Sequence, residues 1–264
     1  MTNPADRSLV FVGAGRMGSA LIARMTKVAR IYYIDPGVEA LAGTTRLTTF
    51  KSVGDLEDLA GVIIATKPAI VKETIKHIEQ HLPEDAFLLS IAAGVTVSSM
   101  REYASAKRSL IRLMPNLPVL LGSGVLVFAS DRKLDRELLA FLEVLFRHTG
   151  QSFWLDSDEL FDVVTALSGS GPAYFFRMAE AMALAAESMG FSRKLALGMA
   201  QATLAGAGAL CAQGTASLSD LRATVTSPNG TTAAALDVLQ ECGVDDLVMG
   251  AMSAAARRSA ELSN

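Results

Sequence analysis

Residues 9–18 read LVFVGAGRMG, an apolar run followed at once by three glycines in the spacing G-x-G-x-x-G. This spacing between a strand and a helix is typical of dinucleotide-binding folds. Gly13 is expected to make the tight turn, Gly15 to let the backbone approach a pyrophosphate, and Gly18 to allow close helix packing. The simpler alternative is a tight turn without a ligand. The predicted cofactor-binding residues of this turn are Gly13, Ala14, Gly15, Arg16, Met17 and Gly18.

The rest of the first half alternates short apolar runs with helical patterns. Runs that are apolar on both faces predict the strands of a covered parallel sheet. The predicted strands are residues 9–12, 31–35, 62–65, 87–91, 110–113 and 125–128, and the predicted helices are residues 17–26, 69–81, 97–103 and 134–147. This alternation predicts an α/β fold class, with an N-terminal doubly wound Rossmann-type parallel sheet.

From Asp158 onward the strand signal disappears and helical spacing continues to the end of the chain. We therefore predict two domains: residues 1–157, which bind the dinucleotide, and residues 158–264, an all-helical domain for dimerisation, to which the resemblance described below adds substrate binding. A helical domain of this size with so much apolar surface would gain by burying it against a second copy. A homodimer through the C-terminal domain is the expected assembly.

Composition excludes several classes of protein. The 264 residues carry 24 basic and 27 acidic side chains, for a net charge of −3, and 50% are apolar. This balance excludes intrinsic disorder and disfavours nucleic-acid binding, which needs a basic face. Two cysteines build no disulfide framework, which predicts a reducing cytoplasm. Residues 9–12 are too short an apolar run for a membrane span or a signal-peptide core, so no membrane partner is expected.

Further candidate site residues follow three predicted strands. Asp35 comes about 20 residues after the first glycine, where a carboxylate accepts hydrogen bonds from the adenosine ribose of NAD. Its alternative role is to open an Asp-Pro-Gly turn, so the choice between NAD and NADP stays open. Lys67 meets either cofactor phosphate or solvent. The predicted cofactor-binding residues of this edge are Asp35, Ala65, Thr66, Lys67, Pro68, Ala92, Ala93 and Gly94.

Six motifs together resemble the pyrroline-5-carboxylate reductase family over nearly the whole chain. Beyond the glycine-rich turn, they are ATKP at residues 65–68, AAGV at 92–95, RLMPNLP at 112–118, TALSGSGPAY at 165–174, SPNGTT at 227–232 and ARRSAEL at 256–262. The motifs at 165–174 and 227–232 are the most specific, because many dehydrogenases share only the glycine-rich turn. Three positions depart from the family pattern: Ser52, Leu117 and Asn229.

The resemblance implies an enzyme that reduces the C=N bond of a cyclic imino acid with NADPH or NADH and forms L-proline. It implies that Ser52 lies near the adenine ribose and Asn116 near the cofactor. It places Thr232 beside the imine nitrogen as the catalytic residue, although a threonine after a turn is otherwise most simply a helix N-cap. It also implies intertwined dimers, and larger rings of dimers occur in the family. The implied substrate-binding residues are Ser227, Asn229, Gly230, Thr231 and Thr232.

Two other functions fit parts of the pattern. A β-hydroxyacid dehydrogenase also opens with a glycine-rich turn, but it relies on a helix-borne lysine, and beyond Asp158 this chain has only Lys194. A protein that binds a dinucleotide without turnover would need no substrate loop. His77 and His81 lie four residues apart on one predicted helix, yet no third ligand accompanies them, so no metal site is expected.

Overall fold

The computed structural model of the chain describes residues 6–263. Residues 1–5 and 264, which include the outer limits of both predicted domains, lie outside the described residues. Within the described range eight strands form one sheet: β1 (Ser8–Val12), β2 (Arg30–Ile34), β3 (Thr44–Arg46), β4 (Leu59–Ile64), β5 (Phe87–Ser90), β6 (Leu110–Pro115), β7 (Gly124–Ser130) and β8 (Gly150–Trp154).

Helices cover the sheet in the first part of the chain and make up the second part. The α-helices between residues 6 and 263 are α1 (Arg16–Met25), α2 (Pro68–Glu79), α3 (Val97–Arg101), α4 (Arg136–Phe146), α5 (Phe161–Val164), α6 (Gly171–Ser188), α7 (Arg193–Ala212), α8 (Leu218–Thr224), α9 (Thr231–Glu241) and α10 (Val244–Ser263). Two 3₁₀ turns span Lys51–Val53 and Leu117–Leu121, and a π-helical turn spans Thr165–Gly169.

The strand order is β3-β2-β1-β4-β5-β6-β7-β8. The chain therefore runs outward from β1 in one direction and from β4 in the other, which confirms the doubly wound fold. All neighbouring strands are parallel except β6 and β7, which are antiparallel. That pair is the one exception, within residues 6–263, to the predicted parallel sheet. The eight residues between β6 and β7 are too few for a parallel crossover, which needs a dozen or more.

Alternation along the central strands divides the core into two layers. In β1, Leu9 and Phe11 belong to one buried cluster, with residues of α1 and α4. Val10 and Val12 belong to the other, with residues of α2 and α3. Because both faces of β1, β4 and β5 are buried, these strands are mostly apolar, as the sequence pattern predicts, and their polar residues Ser8 and Ser90 are buried too.

The chain divides into two compact units. The first contains the residues up to Gly169 together with those from Ala256 onward, and the second is Ser170–Ala255. The first unit thus keeps α5, the π-helical turn and the last residues of α10 with the sheet. The boundary predicted at residues 157 and 158 stays a prediction about domains.

The second unit is built from helices joined through small side chains. Ala183 of α6 packs with Ala196 and Ala200 of α7 in a buried cluster. The outer faces of these helices are apolar and exposed within one chain: Phe175 is 64% exposed and Met189 83%. Between residues 6 and 263, α7 alone is long and apolar enough to cross a membrane, judged by length and composition. One such helix is weak evidence for a membrane protein, because helices of soluble proteins pass the same test.

Candidate active site

The carboxyl ends of the parallel strands bring most of the predicted cofactor-binding residues to one edge of the sheet. Backbone hydrogen bonds join these ends: the Gly13 N–H donates to Ile34 O at 2.8 Å, and the Ala65 N–H donates to Val12 O at 2.7 Å. The segments at this edge are residues 13–18 after β1, Asp35 after β2, residues 65–68 after β4, residues 92–94 after β5 and Asn116 after β6. The strand order reverses between β1 and β4, and ligands of such sheets bind at that position.

Gly13 and Gly18 of the turn after β1 occupy positions that a side chain would disturb. Gly13 has a φ of +96°, and a Cβ there would lie 2.6 Å from Ala65 O. A Cβ on Gly18 would lie 2.7 Å from Gly13 O, so only glycine lets α1 pack this closely against the turn. Gly15 differs, because no atom lies within 4 Å of a Cβ placed there. The backbone at Gly15 is therefore open to a ligand.

The start of α1 fits an anion such as a pyrophosphate. Gly15 is its N-cap, no side chain caps the helix, and its first turn carries no acidic residue. Uncapped N–H groups at a helix start attract negative charge. Arg16 is exposed there, Met17 is half-buried and Ala14 is buried. The Oγ1 of Thr66, across the edge on the chain after β4, is buried and has no hydrogen-bond partner. These features fit a bound dinucleotide.

Asp35 is bonded to the backbone of its own unit. Its Oδ2 accepts the Ala14 N–H at 2.7 Å, and its Oδ1 accepts the Gly37 N–H at 2.7 Å. The second bond is the one that an aspartate opening an Asp-Pro-Gly turn makes. The first ties the end of β2 to the glycine-rich turn. The role of Asp35 in ribose binding stays a prediction.

The remaining predicted residues of this edge are small or exposed. Lys67 is exposed and precedes α2, which begins at Pro68 as predicted for a proline in a first turn. Gly94 has a φ of +77°, which favours glycine, and the Ala92 N–H donates to Ser90 Oγ at 3.2 Å. Ala93 is exposed beside them. Ser52 lies in the 3₁₀ turn after β3, where its Oγ is 2.9 Å from Thr49 Oγ1.

Asn116 is buried, and both ends of its amide are bonded to backbone. Its Nδ2 donates to Ser168 O at 3.0 Å, and its Oδ1 accepts the Val125 N–H at 2.8 Å. The Ser168 carbonyl belongs to the π-helical turn Thr165–Gly169. Asn116 therefore holds this turn against the end of β6. The contact of Asn116 with the cofactor stays a prediction. The sequence analysis did not predict the hydrogen bonds of Asn116 with Ser168 and Val125.

A buried ion pair near the same edge was also missed from the sequence. Arg112 of β6 donates from Nη1 to Asp158 Oδ2 at 3.1 Å, and the guanidinium lies 4.3 Å from the centre of the Phe161 ring. The Val97 N–H, at the start of α3, donates to the same Asp158 oxygen at 2.8 Å. An arginine within a buried strand was the signal that a carboxylate had to lie nearby.

The loop at residues 227–232 lies in the second unit and ends in a helix start. The Gly230 N–H donates to Ser227 O at 3.0 Å, which closes the turn, and Asn229 has a φ of +58° in the left-handed region. The simpler alternative, a threonine that serves only as the helix N-cap, does not match the structure, because α9 begins at Thr231 and its N-cap is Gly230, with no side-chain cap. The N–H groups of this helix start are therefore available to an anion.

Helix α8, which precedes this loop, is capped at its start by side chains. Ser217 and Asp220 form a capping box at the start of α8. Hydrogen bonds from the Ser217 hydroxyl and backbone N–H hold the pKa of Asp220 below its ordinary value.

Across residues 6–263, no group of three or more metal-ligating side chains comes together. His77 instead has its Nδ1 2.7 Å from Glu73 O and stacks on Phe50.

Two family models match the chain. Residues 158–262 match the pyrroline-5-carboxylate reductase dimerisation family, and residues 8–94 match the family described as NADP oxidoreductase coenzyme F420-dependent. The second match covers the turn after β1 and the edge residues through Gly94.

Several known proteins are similar over almost their whole length. The pyrroline-5-carboxylate reductase of Pseudomonas aeruginosa is 35% identical, with 96% of each chain covered. That of Pisum sativum is 33% identical, with 97% of this chain and 96% of the relative covered. Among solved structures, a pyrroline-5-carboxylate reductase from Coxiella burnetii superposes with a TM-score of 0.89 at 27% identity, covering 97% of this chain and 98% of that one. The Plasmodium falciparum pyrroline carboxylate reductase, solved with NADP bound, shares the fold at a TM-score of 0.82 and 24% identity, covering 98% and 99% of the two chains.

Proposed function

The chain belongs to the pyrroline-5-carboxylate reductase family, and from this premise we propose how its residues perform the family's reaction. It is an NAD(P)-dependent oxidoreductase that reduces the C=N bond of 1-pyrroline-5-carboxylate to L-proline, the last step of proline biosynthesis. The observation that carries the proposal is that one chain holds both an open glycine-rich turn and an uncapped helix start after a threonine-rich loop.

The edge of the first unit binds the cofactor in this proposal. The N–H groups at the start of α1 hold the pyrophosphate, and Gly15 leaves room for it. Thr66 Oγ1, which is buried without a partner, donates a hydrogen bond to the cofactor. Residues 92–94 are small and therefore leave space for the nicotinamide ring of the cofactor. When bound, the reduced nicotinamide supplies a hydride to the imine carbon.

The loop at residues 227–232 binds the substrate carboxylate. The N–H groups at the start of α9 donate to the carboxylate, helped by the hydroxyls of Ser227 and Thr231. Asn229 keeps the left-handed backbone that lets the turn close. Thr232 places its hydroxyl at the imine nitrogen, where it donates a hydrogen bond or passes on a proton.

The reaction demands little acid or base chemistry from the protein. A protonated imine is already electrophilic, so the enzyme accelerates the step mainly by holding the reacting carbons together and excluding water. This agrees with the residues proposed here, which bind and orient and include no histidine, cysteine or lysine acting as a base.

The chain forms a dimer, in agreement with the dimerisation family that it matches. We extend this to a dimer made through the helices of the second unit, with rings of dimers as a larger assembly. We also place the enzyme in the cytoplasm, because Cys211 and Cys242 are both free and exposed, as reducing conditions allow. Membrane and nucleic acid are not proposed as partners.

The direct test measures oxidation of NADPH and NADH at 340 nm by the purified protein with 1-pyrroline-5-carboxylate. A cyclic imino acid with a six-membered ring serves as the control substrate. We expect turnover that is faster with the five-membered ring and yields L-proline as product. Cofactor binding without turnover of either imine would overturn the proposal and favour a dinucleotide-binding protein without this activity.

A further inference from the structure

We propose that Arg46 recognises the 2′-phosphate of NADPH and makes the enzyme selective for NADPH over NADH. The inference rests on the proposed function, because it concerns the cofactor of the same site. NADPH differs from NADH by one phosphate, carried on the adenosine ribose. Selectivity therefore requires a cation with free donors at the place where that ribose lies, and an arginine guanidinium is suited to phosphate.

The sheet carries Arg46 to the correct edge. β3 runs parallel to β2, with Arg46 opposite Tyr33, and the Leu47 N–H donates to Tyr33 O at 2.8 Å. Arg46 is thus the last residue of β3, at the carboxyl edge where β2 leads into Asp35. In dinucleotide-binding sheets the adenosine ribose lies at the end of this second strand.

The guanidinium of Arg46 lies beside the end of β2 with most of its donors free. Its Nη2 donates to the backbone oxygen of Asp35 at 2.9 Å, which fixes its position. The side chain is exposed, and no carboxylate within residues 6–263 forms an ion pair with it. A guanidinium has five N–H donors, so those left over are available to phosphate oxygens.

The carboxylate of Asp35, which would favour NADH, is hydrogen-bonded to backbone N–H groups. A carboxylate selects NAD by accepting the ribose 2′-hydroxyl and by repelling a phosphate. In this chain each Asp35 oxygen already accepts a backbone N–H at 2.7 Å, from Ala14 and from Gly37. We therefore assign Asp35 to bracing the glycine-rich turn, and cofactor selection to Arg46.

The chain after Arg46 continues with groups that suit a phosphate. Residues 46–52 contain two cations, Arg46 and Lys51, and no acidic residue. Lys51 is exposed, and the hydroxyls of Thr49 and Ser52 lie 2.9 Å apart in the same segment. Residues 46–52 therefore offer positive charge and hydroxyl donors directly after the carboxyl end of β3.

The test compares Arg46→Gln, which keeps a hydrogen-bond donor but removes the charge, with Arg46→Lys, which keeps the charge. Dissociation constants for NADPH and NADH are measured by cofactor fluorescence without imine, and 2′,5′-ADP and 5′-AMP serve as competing probes. Lys27→Gln is the matched control, because it removes one exposed cation between α1 and β2, at the opposite edge of the sheet. Circular dichroism checks that every variant is folded.

We expect the wild-type protein to bind NADPH more tightly than NADH and 2′,5′-ADP more tightly than 5′-AMP. Arg46→Gln should weaken the preference for NADPH by about 10- to 100-fold, the effect of losing one charged hydrogen-bond partner. Arg46→Lys should retain part of the preference, and Lys27→Gln all of it. Added KCl should weaken NADPH binding more than NADH binding in the wild type and in Lys27→Gln, and this difference should shrink in Arg46→Gln.

Two results would overturn the assignment: a wild-type preference for NADH, or the wild-type ratio of dissociation constants in Arg46→Gln. Both are read from binding alone, so they are separate from the outcome of the imine assay. A protein that shows the Arg46 effect without reducing the imine refutes the proposed function. A protein that reduces the imine with an unchanged cofactor ratio in Arg46→Gln refutes the role of Arg46.

Discussion

Thr232 is the side chain closest to the proposed chemistry. It is the second residue of α9, is half-buried, and its hydroxyl forms no hydrogen bond with another residue between 6 and 263. A threonine that served only as the N-cap would use its hydroxyl on the helix, but that position belongs to Gly230. The hydroxyl of Thr232 is therefore free to act on a ligand.

Replacing Thr232 by alanine should lower kcat/KM for 1-pyrroline-5-carboxylate by about 10- to 100-fold, the value of a hydrogen bond made to a charged or reacting group. NADPH binding, measured separately by fluorescence, should change by less than about twofold, because the loop lies in the other compact unit. Steady-state kinetics with saturating NADPH measures the first quantity.

Thr232→Ser is the matched control, because it retains the hydroxyl and removes only a methyl group. It should keep most of the wild-type kcat/KM. If the alanine variant turned over the imine at the wild-type rate, Thr232 would have no part in the reaction. If serine and alanine variants were equally slow, the methyl group and its packing would be responsible instead.

The residues that could be read from the sequence are those with local constraints. The turn at Gly13 needs a positive φ and close approach to the neighbouring strand, and Asn229 is a residue type that tolerates the left-handed angle found there. Arg46 and Arg112 could not be assigned in this way. Their partners, the Asp35 carbonyl and the Asp158 carboxylate, are 11 and 46 residues distant in the chain. Only the folded sheet shows that Arg112 forms an ion pair with a carboxylate, whereas Arg46 donates to a backbone carbonyl.

At the scale of elements, the π-helical turn depends on one buried amide. Asn116 contacts this turn through the Ser168 carbonyl and contacts the start of β7 through the Val125 N–H. The turn has wider hydrogen-bond spacing than an α-helix and is short, so it needs support from outside. A π turn held by a residue at the carboxyl edge of a sheet is typical of a functional position.

We expect Asn116→Ala to lower the free energy of unfolding by about 2–4 kcal/mol, because it leaves two backbone groups without a partner. Urea denaturation followed by circular dichroism measures this loss. Amide hydrogen exchange should also become faster at residues 165–169 and 125 than in the wild type.

Leu117→Ala is the matched control, since Leu117 is adjacent but 45% exposed, and it should cost less than about 1 kcal/mol. Asn116→Asp should be intermediate, because it keeps an acceptor for Val125 and loses the donor to Ser168. An alanine variant as stable as the wild type would show that water replaces both contacts and that Asn116 has no positioning role.

The elements that the sequence did not predict are those formed by tertiary pairing. β3 has three residues, threonine, threonine and arginine, and is a strand because β2 lies beside it. β8 is largely exposed, so its residues lack the apolar run that identified the central strands. The long buried strands and α1, α2 and α4 were predicted because their apolar periodicity is strong over several residues. Single-turn elements carry too few residues for any periodicity.

At the scale of the molecule, the second unit exposes more apolar surface than a helical unit can leave in water. Exposed large side chains recur along α6 and α7, including Phe175, Phe176, Met182 and Leu184, each 48% or more exposed in one chain. Monomeric proteins rarely show contiguous apolar patches of this kind. The sequence predicted a second copy on this basis, and the matched dimerisation family supports oligomer formation. Which helices form the interface could not be derived, since a partner surface leaves no periodic signal of its own.

A charge placed in the groove between α6 and α7 should separate the dimer. Phe176, Ala179, Leu197 and Leu204 line this groove, and Phe176 is 59% exposed within one chain. Phe176→Glu would replace a large apolar side chain by a second carboxylate beside Glu180, which already lines this groove, so desolvation and repulsion of the two charges oppose association. Light scattering after size-exclusion chromatography should then shift from twice the chain mass toward the chain mass. The unfolding temperature should also lose its rise with protein concentration, which dimer formation gives the wild type by mass action.

Gln213→Glu is the control for added charge, because it introduces the same carboxylate at the exposed end of α7. It should leave the mass and the concentration dependence of unfolding unchanged. A Phe176→Glu protein that stayed dimeric at micromolar concentration would exclude this groove from the interface and point to the apolar faces of α8 or α10, where Leu218 and Leu247 are exposed. Helices α6 and α7 pack on each other through alanines, so their large apolar side chains remain on the outer faces, where a partner can cover them. A helical unit that leaves these side chains exposed gains apolar burial from a partner, so losing the dimer should lower its stability as well as its mass.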